Sequence, residues 1–339
     1  MSTSFLIGLA SILPTLLVVY YAPQLGRILK VIDHPDGQRK RHLQSTPMVG
    51  GIAFAITFCV VAILWWATDI PLGIFGPALI CGALIYFGVG FADDRGHVSP
   101  MLRLIVLGAT AALVPMVEPS LLLSNLNFHS LGMTVSLGFM AIPFTVFTLL
   151  CFQNAANMAD GLNGLFLGLT LVWVCLMAPF LHGGFINYFS SIGIVALVLL
   201  VPNLRGRLFT GDSGAYLVSF LICMGSIGLY NSHNGLLPAE YMAAAFLLPV
   251  LDMGRMLITR LFDGEDPFKG DHSHFHHVLV DLTGSKGIAT ISYLALNMVP
   301  IVYFLQDTVS IPALMAVQIS VYGFVLIYVS KKPPPSETH

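Results

Sequence analysis

Residues 71–95 read PLGIFGPALICGALIYFGVGFADDR, twenty-two residues without a charge followed by Asp93, Asp94 and Arg95. At about 1.5 Å per residue, a helix of that length matches the roughly 30 Å hydrocarbon core of a bilayer. Gly82, Gly88 and Gly90 lie inside it, and membrane helices tolerate such residues because neighbouring helices support the backbone. The stretch reads as a membrane span ending in two acids at the water boundary. Ten more apolar runs lie near residues 5–22, 49–67, 102–117, 137–153, 164–181, 185–201, 214–230, 238–258, 288–306 and 311–330. The 339 residues are 56% hydrophobic and only 9% charged, against roughly 25% charged in a soluble domain. The expectation is an all-α, polytopic integral membrane bundle of about eleven transmembrane helices. Residues 1–339 then form a single domain, without internal repeat or linker.

All fifteen Lys and Arg fall between alternate runs. By the positive-inside rule those loops are cytoplasmic, the N-terminus is outside and the tail carrying Lys331 and Lys332 is inside. The first run has no basic residue before it and exceeds a signal-peptide core, so it is expected to stay as a helix. The loop 118–136, with Asn, Ser and Gly among alternating apolar residues, suggests a small extracytoplasmic hairpin. Cys59, Cys81, Cys151, Cys175 and Cys223 all lie in apolar runs without a C-x-x-C pair, which points to core packing. A net charge of −2 offers no basic surface for nucleic acid.

Thirteen of the seventeen acids share the basic side of this arrangement, many where a span meets its loop. The clusters are Asp33 in DHPDGQRKRH, Asp93-Asp94-Arg95, Asn154-x-x-Asn157-x-x-Asp160-Gly-x-Asn163-Gly, Gly211-Asp212-Ser-Gly214, and Asp271-His-Ser-His274-Phe-His276-His277. Ionisable residues at membrane depth are functional candidates. Carboxylates suit a hard divalent cation, and His or Arg suit phosphates. Each cluster also has a plainer account. Asp93 to Arg95 can be a charged loop cap, Asp160-Gly161 a helix end, and Asp212 a helix N-cap. Asp252 and Arg255, three apart, can be an ordinary helix ion pair. The histidines lack the Cys partners or i, i+4 pair of a structural zinc site.

Taken in order, these motifs resemble the polyprenyl-phosphate N-acetylhexosamine-1-phosphate transferases of glycosyltransferase family 4. The likeness covers nearly the whole chain: an Asp33-x-Pro loop ending in His42-x-x-x-x-Pro47-x-x-Gly50-Gly51, then Asp93-Asp94, Asn154 to Leu165, Gly211-Asp212-Ser-Gly214 and His274-x-His276-His277. The His-x-His-His spacing is similar to the GlcNAc-1-phosphate branch. There are three departures: an extra residue between Asp33 and Arg39, Asn163 where many members carry a second Asp, and His272 where close relatives show Arg.

The resemblance implies transfer of a sugar-1-phosphate, GlcNAc-1-phosphate in this branch, from a UDP-amino sugar to undecaprenyl phosphate with release of UMP. It implies a bacterial inner (plasma) membrane, the bilayer as a partner, and the first lipid-linked sugar of a cell-surface polysaccharide such as O-antigen. It assigns Asp212 and Asp93 to Mg²⁺, with Mn²⁺ as a substitute, and Asp93, Asp94, Asp160, His276 and His277 to catalysis. Asp33, Arg39, Lys40, His42, Asn154, Asn157, Asn163 and His274 fall to substrate binding. A homodimer is an open alternative to a monomer. Donors such as UDP-MurNAc-pentapeptide or a 6-deoxy amino sugar would use the same chemistry. The competing class is a secondary transporter of anions, whose site would lie nearer the midplane.

Overall fold

The computed structural model describes residues 3–35, 45–67, 76–96, 98–264, 273–306 and 309–331. All eleven apolar runs become helices. Among the described residues, nine helices are long and apolar enough to cross a membrane, which makes this a multi-pass membrane protein. Two runs depart from a simple crossing. The first forms α1 (Thr3–Tyr20), then bends by 72° into α2 (Ala22–Leu29). Pro23 sits at the start of α2, where its missing N–H and fixed φ favour a new helix over continuing α1. The run 164–181 forms a shorter apolar helix, α7 (Leu165–Met177), whose last turn tightens at Ala178–Phe180 around Pro179.

The remaining elements, in order, are β1 (Ile32–Asp33), β2 (Thr46–Pro47), α3 (Gly50–Ala67), α4 (Pro77–Arg95), α5 (Pro100–Val117), β3 (Asn125–Phe128), β4 (Met133–Ser136) and α6 (Ala141–Met158). After α7 come α8 (Gly184–Leu204), α9 (Gly211–Ser232), α10 (Ala239–Asp263), α11 (Phe275–Thr283), α12 (Lys286–Asn297), α13 (Val302–Leu305) and α14 (Ile311–Ser330).

Helix α9 is the axis of the bundle. Every residue from Ser213 to Tyr230 is buried, and α3, α4, α6, α7 and α8 all pack on it. A helix apolar around its whole circumference belongs in such a position, and its Gly, Ala and Ser residues let neighbours approach closely. Gly90 of α4 and Gly51 of α3 make the same allowance from the other side. A Cβ at Gly90 would fall on the backbone of Asp212 and Ser213, and one at Gly51 on Gly214. The Gly50-Gly51 motif is therefore a contact surface for the start of α9.

The expected hairpin forms. Strands β3 and β4 pair antiparallel from Asn125↔Ser136 to Phe128↔Met133. Tyr230, near the far end of α9, accepts from the Asn127 N–H at 2.7 Å and donates to the Asn125 carbonyl at 3.2 Å. The cysteines are all free, but Cys81 and Cys175 are exposed on the outside of the bundle, contrary to the expected core role; Cys223 alone is buried. A lipid-facing position accepts a small apolar side chain as readily as the core does.

Candidate active site

The acids expected to act together do meet, at the end of α9 opposite the hairpin. Asp93 and Asp94 end α4, and Asp212 opens α9. The Asp94 carboxylate accepts from the backbone N–H of Asp212 at 2.7 Å and of Ser213 at 3.0 Å. Asp94 thus caps α9 from another helix, and no side chain within α9 does so. This overturns the plainer account of Asp212 as an N-cap: its carboxyl is not spent on its own helix. Gly211, at φ +73°, supplies the left-handed turn that brings these amides to Asp94, and a Cβ there would collide with that carboxylate.

Asp93, expected as a metal-site acid, has both oxygens engaged by protein donors. Oδ1 accepts from the Val98 N–H at 3.0 Å, while Oδ2 takes Arg103 Nη1 at 2.5 Å and the Tyr216 hydroxyl at 3.3 Å. Arg103 also donates to the Tyr216 oxygen at 2.9 Å. In the sequence Arg103 carries only an orientation signal, and Tyr216, one helical turn beyond Asp212, belongs to none of the five clusters. That i, i+4 spacing from an acid was the available signal.

Asp160 follows α6 in a turn whose N–H bonds back to the Asn157 carbonyl at 3.1 Å. Burial, together with the facing carboxylates of Asp212 and Asp94, pushes its carboxyl well above the usual carboxylate range. Carboxylates gathered from three separate segments repel one another unless a cation joins them. Among the described residues no three His, Cys, Asp or Glu side chains could hold a metal by themselves. An ion held here by one or two carboxylates would have to complete its shell with substrate phosphate and water, as Mg²⁺ usually does.

Asn154 is exposed and donates to the Leu150 carbonyl at 2.8 Å; Asn157 is half-buried and Asn163 exposed. A residue outside every sequence cluster ties this turn to the segment that leads into α9. Asn203, buried at the end of α8, accepts from the Gly164 N–H at 2.6 Å and donates to the Leu208 carbonyl at 3.0 Å. The first loop reaches the same place. Asp33 pairs with Thr46 across β1 and β2, and the Thr46 hydroxyl donates to the Gly206 carbonyl at 3.1 Å. Backbone bonds from Phe209 to Pro47, Gly50 to Phe209 and Gly51 to Thr210, at 2.9–3.0 Å, complete the junction. Arg39, Lys40 and His42 lie outside the described residues, as do Asp271 and His272.

The histidines close one side. His274 and His276 are buried, with their rings parallel at 5.7 Å, and His277 lies 4.2 Å from His276 centroid to centroid. A Cβ at Gly161 would strike His276 Nε2, so that ring rests against the residue after Asp160. Asp252, read from the sequence as an ion pair with Arg255, does make that pair at 2.8 Å. It also accepts from His274 Nδ1 at 3.0 Å and from the Phe275 N–H at 3.1 Å, which the helix-pair account did not foresee.

A cavity of about 410 Å³ lies at the other end of α9, lined by residues including Asn125, Asn127, Tyr230 and Asn231. Its lining holds no carboxylate, imidazole or cation, only neutral polar side chains.

Residues 77–230, which include α4, α6 and the start of α9, match the model of glycosyl transferase family 4. A Yersinia pestis protein named undecaprenyl-phosphate alpha-N-acetylglucosaminyl 1-phosphate transferase is 30% identical over 274 residues, covering 77% of this chain and 73% of its own length. This chain belongs to glycosyl transferase family 4. An Escherichia coli (strain K12) protein of the same name is 28% identical over 283 residues, covering 78% of this chain and 73% of its own. The matched segment of this family 4 chain contains Asp93, Asp94, Asp160 and Asp212; the histidines and Asp252 lie beyond it.

Proposed function

We propose that this protein transfers N-acetylglucosamine 1-phosphate from UDP-GlcNAc to undecaprenyl phosphate at the cytoplasmic face of a bacterial inner membrane. The observation that carries this reading is the meeting of Asp94, Asp160 and Asp212 at one end of α9, with His276 against the Asp160–Gly161 turn. The names of the relatives supply the substrates. A non-bridging oxygen of the lipid phosphate attacks the sugar-bearing phosphorus. The bond from that phosphorus to the oxygen bridging toward uridine breaks, and UMP leaves with that oxygen and its electron pair. The nucleophile needs no dedicated base, because a phosphate monoester with a second pKa near 6 is mostly dianionic at neutral pH.

Asp212, and Asp160 facing it, would hold Mg²⁺ or Mn²⁺, and the ion would neutralise charge on the two phosphates being brought together. Asp94 keeps the Asp212 backbone in place. Asp93 and Tyr216 aim Arg103 at the rim of the acids, where it reduces their mutual repulsion. His276 and His277 would contact the diphosphate or the sugar. A transporter would need a polar path toward the midplane, whereas α9 is packed from Ser213 to Tyr230.

Purified protein with Mg²⁺, undecaprenyl phosphate and radiolabelled UDP-GlcNAc should yield lipid-linked label and UMP, and chelation should stop it. Across a panel of donors, kcat/KM should favour UDP-GlcNAc over UDP-MurNAc-pentapeptide and 6-deoxy amino sugars. For donors differing at one ring substituent, such as the 6-deoxy amino sugars, the gap is roughly 10- to 200-fold for an apolar contact and larger for a required hydrogen bond. Preference for a muramyl or 6-deoxy donor would overturn the sugar while leaving the transfer chemistry in place.

For orientation, a cysteine introduced at Ser45, beside the junction with Gly206, should resist a membrane-impermeant reagent applied to intact cells. One at Asn125, in the hairpin, should react. The reverse pattern would invert the topology.

A further inference from the structure

Asp252 stands on α10, twenty-two residues before His274, and its carboxylate is surrounded by donors. Oδ1 takes Arg255 Nη2 at 2.8 Å, the Tyr322 hydroxyl at 2.9 Å and the Phe275 N–H at 3.2 Å. Oδ2 takes His274 Nδ1 at 3.0 Å and the same Phe275 N–H at 3.1 Å. An ionised carboxylate has about four acceptor sites, so this one has no room for a metal or phosphate. Asp252 is 5% exposed, and all its capacity goes to holding other residues.

Those residues are the start of the histidine motif. The Phe275 N–H belongs to the first turn of α11, where Asp252 serves as a cap supplied from another helix. Arg255 Nη2 also donates to the Ser273 carbonyl at 2.6 Å, so the residues on both sides of His274 are tied to one ion pair. Tyr322 of α14 donates to Asp252, accepts from Arg255 Nε at 2.8 Å, and packs its ring on Phe275 at 4.6 Å. A helix ion pair alone would need one carboxylate oxygen. The second faces the imidazole.

We propose that Asp252, held by Arg255 and Tyr322, is a positioning residue that fixes the proton of His274 on Nδ1 and sets its ring as the backstop for His276. Because an ionised carboxylate only accepts, His274 must donate through Nδ1, leaving Nε2 as the nitrogen available to other partners. The His276 ring stacks parallel on His274 at 5.7 Å and meets Gly161, next to Asp160. The contacts therefore run from α10 and α14 through two imidazoles to the acidic turn. This rests on the proposed transferase reading for its consequence in catalysis, but not for its geometry.

The test has two readouts. Nitrogen-15 NMR of histidine-labelled protein in detergent should show His274, assigned by His274→Ala, with its proton on Nδ1. In Asp252→Asn the amide group can face Nδ1 as a donor and release that preference. A wild-type His274 protonated on Nε2 alone would overturn the proposal, whether or not the protein shows any turnover. In the transfer assay, Asp252→Asn should lower kcat/KM for UDP-GlcNAc by about 10- to 100-fold, the usual cost of losing such a support, with KM for undecaprenyl phosphate unchanged. In a His274→Ala background the same substitution should cost less than about threefold, because residues acting as a unit are not additive. Losses that multiply, or wild-type activity in Asp252→Asn, would refute the coupling. Should Asp252→Asn not fold, Tyr322→Phe removes one donor to the carboxylate and keeps the ring. It should lower activity severalfold alone and not at all beside His274→Ala; independent losses again refute it. Absence of transfer by the wild-type protein would count against the transferase reading and leave the tautomer result to decide the clamp.

Discussion

Asp212→Asn should abolish transfer while leaving the helix it opens intact. The α9 cap comes from Asp94, and both amides that Asp94 accepts from are backbone groups that the substitution does not touch. Unfolding should therefore move by no more than a few degrees. Turnover should fall about 1,000-fold or more, the scale of losing a group that stabilises developing charge, and added Mg²⁺ or Mn²⁺ should not restore it. The measurements are kcat/KM against metal concentration, with a thermal shift on the same preparation. A folded Asp212→Asn protein with near-normal activity and metal requirement would remove Asp212 from the metal site.

The second large effect is steric. Gly90→Ala should damage both stability and activity, because the new methyl meets the Asp212 and Ser213 backbone and neither can rotate away. Helix α4 must then move off α9, at roughly 1–3 kcal/mol for overpacking. The same movement stretches the Asp94 cap, worth about another 1 kcal/mol. Gly88→Ala, two residues earlier on the same helix, meets nothing within 4 Å and should be neutral or mildly stabilising. Equal behaviour of the two variants in melting temperature and turnover would show that the α4–α9 contact is not what places the acids.

The helices were legible because apolar run length is a one-dimensional property, and each of the eleven runs became helix. What was not legible was how a run meets its neighbours: the 72° bend after Tyr21 and the shortness of α7 depend on where the chain can pack. The acids Asp94, Asp160 and Asp212 were named from their place at span ends, and they do converge. Their division of labour was not. Whether Asp212 or Asp94 caps α9 depends on an approach between residues 118 apart, which leaves no mark in local spacing. Asn203 and Tyr216 were passed over for a similar reason. Asn203 ends an apolar run with no motif around it, and Tyr216 carries only its spacing of four from Asp212, so the partner across the bundle gives each its role. Asp252 was seen, but a pair three residues apart suggested its nearest neighbour and concealed the histidine on a later helix.

The cap on α9 also settles the electrostatics of an arriving diphosphate. A helix start ordinarily presents unpaired amides and the positive end of its dipole, equivalent to roughly half a unit charge. Here Asp94 has claimed the Asp212 and Ser213 amides and placed a carboxyl group over that end. Those first amides are therefore closed to phosphate, where an uncapped helix would offer them. Attraction for an anionic donor must then come from side chains or from a cation bound with it, so chelation of divalent metal is expected to weaken donor binding itself as well as turnover.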